Sequence, residues 1–116
     1  MSASQASALS AIAFQLVAAL ERYEGDVGRL VRNPADMELY QRTSRHVDDL
    51  RMYAGAFPSL SVAWVELLIR HFELTHGIWR QQQQGPAPEG LAVQEANLRV
   101  AIQRLHRLGL RLVATS

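Results

Sequence analysis

The residues of this chain best suited to acid–base or metal chemistry near neutral pH are its four histidines. Glu73 and His76 stand three residues apart, a spacing that sets a carboxylate and an imidazole on one helix face, as in di-iron sites of helical bundles. Such a site takes two copies of that motif and two further glutamates. Here there is one copy, and Glu21, Glu24, Asp49 and Glu95 make no matching set. His71 falls on an apolar row with Leu60, Trp64 and Ile78, which marks it as a core histidine hydrogen-bonded across the fold. His71, His76 and Trp64 are therefore the candidates for a small-ligand or pH-sensitive contact, and no metal or cofactor is expected. The absence of cysteine excludes disulfides, thiolate ligands and cysteine nucleophiles. All 12 basic residues are arginine, which excludes a P-loop lysine and a Schiff base.

Other chemistries find less support. His106-Arg107-Leu108-Gly109 departs from the H-x-x-K-G pattern of phosphorelay bundles by one missing residue and the missing lysine, and His46-Val47-Asp48-Asp49 does not fit it. No glycine-flanked serine and no phosphate-cradling glycine loop are present. An enzyme is not expected. Arg104, Arg107 and Arg111 share one helical stripe, suited to an acidic partner protein. A formal net charge of +1 and the lack of interleaved aromatics argue against nucleic acid.

The element that positions most of these residues is Ser59 to Arg80. Glu66, Arg70, Glu73, Gly77 and Arg80 recur at steps of four, three, four and three, one narrow polar stripe at helical period, expected to be solvent-exposed. Nearly all the rest is apolar. One row carries Leu60, Trp64, Leu67, Leu74 and Ile78; a second, about a third of a turn away, carries Val62, Val65, Ile69, Phe72 and Trp79. An ordinary surface helix has one apolar face. The second row meets either another helix of this chain or another chain.

The remaining elements also read as helices. Leu9, Leu16, Tyr23 and Leu30 repeat every seven residues, with Ala13, Leu20 and Val27 between them, which predicts a helix over 4–32. Gly25 and Gly28 leave a kink or early end open there. Phe14 points away from the main stripe, beside small residues, as a possible contact. Asn33-Pro34 reads as N-cap and first helical residue of a second helix over 34–54, with Tyr40, Thr43, Val47, Leu50 and Ala54 inward and a Glu38–Arg42 pair outside. The third is expected over 59–80, capped by Ser59 or Ser61 and supported by Glu66–Arg70 and Arg70–Glu73 pairs. QQQQGPAPEG, 81–90, reads as a flexible loop. Leu91, Leu98, Ile102, Leu105 and Leu112 place the fourth helix over 91–113.

Four amphipathic helices in 116 residues imply a single all-α domain, an antiparallel up-down-up-down four-helix bundle. The first twenty residues lack a signal peptide's basic n-region and contain no spanning segment, so a cytoplasmic location away from membranes is expected. The functional expectation is a non-catalytic interaction protein, a homodimer or an adaptor or chaperone for another helical protein. It would bind through Val62, Val65, Ile69, Phe72 and Trp79, with Phe14 as a further contact. A ligand-binding bundle centred on His71 and His76 is the alternative.

Overall fold

A computed structural model of the chain describes residues 3–85 and 90–114. The protein is an all-α, antiparallel four-helix bundle of α1 (Ala3–Arg32), α2 (Met37–Ala54), α3 (Ser61–Gln84) and α4 (Ala92–Ala114), with a short 3-10 turn, Pro58–Leu60, before α3. α1 packs along both α2 and α4, α4 packs also along α3, and α2 touches α3 only lightly. The molecule measures 55 × 23 × 16 Å. No described helix is long and apolar enough to cross a membrane.

The heptad of α1 supplies the centre of the core. Leu16, Leu20, Tyr23, Val27 and Leu30 are all buried, against Leu50 of α2, Leu67, Leu74 and Ile78 of α3, and Leu98 and Leu105 of α4. α1 runs unbroken through Gly25 and Gly28 because the core positions on either side continue without a shift of phase. Gly25 is exposed, and a Cβ built there approaches only the Arg29 guanidinium, at 3.4 Å. Gly25→Ala is therefore expected to raise stability by about 1 kcal/mol, a melting temperature about 4 °C higher. Calorimetry checks it.

Local chemistry moves three boundaries from the sequence expectation. Asn33 does not cap α2: its side-chain amide donates back to the Arg29 carbonyl at 3.0 Å, closing α1. The cap of α2 is Asp36, whose carboxylate accepts from the Leu39 amide at 3.0 Å. α3 has no serine side-chain cap, because Pro58 opens a 3-10 turn that delivers Leu60 into the core as its first flank. The glutamines expected in a loop are the last turn of α3. Glutamine is a good helix former, and the helix ends only at Gly85, where φ is +81°, a conformation glycine adopts without strain. The rest of the expected loop, 86–89, lies outside the described residues.

Candidate functional site

The burial pattern of α3 separates its two apolar rows. Leu60, Leu67, His71, Leu74 and Ile78 are buried, and Trp64 is half-buried beside them. Val62, Val65, Ile69, Phe72 and Trp79 keep between 50 and 69 % of their surface exposed. Glu66 and Gly77 of the polar stripe lie against Arg104 and Leu91, while Glu73 and Arg80 stay exposed. Glu66 accepts from Arg104 of α4 at 2.9 Å, and Gly77 sits so close to Leu91 that a Cβ would lie 3.2 Å from its Cδ2. The expected Glu66–Arg70 pair is thus replaced by Glu66–Arg104, while Arg70 donates to Glu73 at 2.9 Å. Among the described residues α3 packs along α4, touches α2 lightly and meets α1 through the Tyr23–His71 bond, and its second row stays exposed.

The other residues singled out in the sequence do not converge on this row. Phe14 is 62 % exposed, but it lies nine residues from Tyr23, about half a turn out of phase at 3.6 residues per turn. Tyr23 faces α3, so Phe14 faces away from it and belongs to a different surface. The expected arginine stripe shrinks to Arg107 and Arg111, both exposed, because Arg104 is engaged by Glu66. His106 donates to Glu21 of α1 at 3.0 Å.

His71 and His76 also part company. His76 is exposed and stacks on Trp79, with ring centroids 5.9 Å apart and planes 22° from parallel. His71 is only 3 % exposed, and its Nδ1 shares a hydrogen bond of 2.7 Å with the Tyr23 hydroxyl. Burial pushes the His71 imidazole down to about 4 and the Tyr23 phenol up, so both are neutral and the bond is between uncharged groups. The bond joins two buried, uncharged side chains across the helix seam. It specifies how α1 meets α3.

A second polar cluster went unread in the sequence. Asp26, 6 % exposed at the α1–α2 seam, accepts from Arg29 at 2.7 Å, from the Arg42 Nε at 3.0 Å and from the His46 Nε2 at 2.9 Å. The expected Glu38–Arg42 pair is absent because Arg42 turns inward to Asp26. Burial pushes the Asp26 carboxyl up, but the hydrogen bonds from Arg42, His46 and Arg29 and the Arg42 charge outweigh it and hold it at about 2. The His46 ring in turn meets the Tyr23 ring edge-on, with centroids 6.3 Å apart. The shallow groove above is lined by Glu21, Arg22, Gly25, Asp26, Arg29, Arg42 and His46. Among the described residues no group of three or more His, Cys, Asp or Glu is placed to hold a metal ion.

No protein-family model, no curated protein and no solved structure matches this chain.

Proposed function

We propose that this protein is a non-catalytic, cytoplasmic interaction bundle, a self-associating, adaptor or chaperone-like module that binds helical partners through the outward apolar row of α3. One observation carries the reading. Val62, Val65, Ile69, Phe72 and Trp79 stand half or more exposed along one helix, over a length of about 26 Å at about 1.5 Å per residue. From those exposed fractions and ordinary residue areas the row offers roughly 500 Å2, within the range of the largest patches on monomers, which are often functional. At about 25 cal/mol per Å2 its burial is on the order of 12 kcal/mol gross, comparable with the cost of association. The ligand-binding reading has less support, since His71 is buried and His76 lies on the outer surface, so the two do not share a pocket.

Ile69→Glu combined with Phe72→Glu tests the reading. Both side chains face water, so the variant is expected to keep its helical circular dichroism and a cooperative melt. In native lysate the wild type should run well above its 13.0 kDa mass and the variant at that mass. A variant that fails to fold would assign the row to the core. A wild type that already runs at 13.0 kDa would leave the row without a partner.

A further inference from the structure

We infer that the occupant of the α3 row is the α3 row of a second copy, packed antiparallel about a two-fold axis that passes between Arg70 and His71; this rests on the reading of α3 as the contact surface and names its partner. Positions 62, 65, 69, 72, 76 and 79 advance by alternating steps of three and four residues. That is the a/d seam of a left-handed coiled-coil contact, where side chains of one helix enter holes of the other. The buried row of α3 packs within the bundle, whereas the apolar side chains of this seam stand half or more exposed among the described residues.

The composition of the seam selects the direction. Its N-terminal half is β-branched, Val62, Val65 and Ile69, and its C-terminal half carries rings, Phe72, His76 and Trp79. A parallel pair would oppose rings to rings at one end and valines to valines at the other, leaving a wedge. An antiparallel pair opposes Val62 to Trp79, Val65 to His76 and Ile69 to Phe72. Every layer then joins one β-branched residue to one ring, the large-against-small pairing that fills space between helices. The stacking of His76 on Trp79 already holds the two rings side by side. Antiparallel packing also opposes the helix dipoles. Glu73, beside the axis, carries its own counter-ion in Arg70 at 2.9 Å, so two copies meet there without a bare charge. Two rows of roughly 500 Å2 bury about 1,000 Å2 together before their flanks are counted, the size at which a specific interface begins.

The chain's lack of cysteine allows the register to be read directly. Val65→Cys combined with His76→Cys, oxidised under mild conditions, should give a covalent dimer of twice the 13.0 kDa chain, with peptides joined 65 to 76. Within one chain those positions are about 16 Å apart along the helix at about 1.5 Å per residue, too far for a disulfide. Val65→Cys alone is separated from its own copy by the same distance and should crosslink at least about tenfold less. Purified wild type should sediment as a dimer at micromolar concentration. Preferential crosslinking of Val65→Cys to itself would overturn the antiparallel arrangement. A strictly monomeric purified protein that still forms an Ile69- and Phe72-dependent assembly in lysate would overturn self-pairing and leave the α3 contact reading standing. A monomer in both settings would remove both.

Discussion

Replacing His71 by glutamine is expected to abolish a loss of stability of about 3 kcal/mol that the wild type suffers between pH 6.5 and about 4. The unfolded chain protonates His71 near 6.5, whereas burial holds the folded imidazole at about 4. Between those values the unfolded state binds a proton that the folded state does not. Stability is therefore full above 6.5 and falls as the pH drops towards 4. The size follows from the gap between 6.5 and about 4, at about 1.4 kcal/mol for each step of one in pH. Glutamine is the right replacement because its amide oxygen can accept the Tyr23 hydroxyl bond, and it does not titrate. Urea denaturation of both proteins at pH 7.5 and pH 4.5 isolates the effect, since titration of the surface carboxylates is common to both. A gap between wild type and variant that does not change with pH would show that His71 titrates alike in the folded and unfolded chains.

The same residue shows why part of this structure is legible in sequence. Its spacing from Leu67, Leu74 and Ile78 puts His71 on a helical face that the other helices must cover, and periodicity alone conveys that. Its partner requires the register of α1 against α3, to which the central position of Tyr23 in the heptad Leu9, Leu16, Tyr23, Leu30 is the clue. The two apolar rows of α3 are equally visible as rows. Which of them goes inside depends on where α2 and α4 dock, and that is decided by Gly77 admitting Leu91 and by Glu66 reaching Arg104. The glutamine run misleads because its polarity suggests a loop, whereas its helix propensity and the downstream Gly85 decide the boundary. Arg42 misleads in another way. The local pair with Glu38 is weak at a solvated surface, and a long-range acceptor at the helix seam outcompetes it.

That acceptor, Asp26, carries a trace in the sequence: an acid one residue before the core position Val27, in a helix whose antiparallel neighbour offers Arg42 and His46 four residues apart. Its energetic weight is asymmetric. The Asp26 side chain is 8 % exposed, whereas those of Arg29 and Arg42 are 58 % and 49 % exposed and reach in from solvent. Removing either arginine leaves the carboxylate with two donors and is expected to cost about 1 kcal/mol or less. Asp26→Asn keeps the shape and removes the charge, and is expected to cost about 2 kcal/mol at pH 7, about 8 °C in melting temperature. The carboxyl titrates at 3.8 in the unfolded chain and at about 2 in the fold. Its stabilisation is thus complete above 3.8 and disappears as the pH falls towards 2, where wild type and Asp26→Asn should converge. Urea is the denaturant of choice, because guanidinium screens the charges under test. Equal costs for Asp26→Asn, Arg29→Ala and Arg42→Ala, or a difference that persists to pH 2, would show that the cluster is a solvated ion pair and not the polar fastening of α1 to α2.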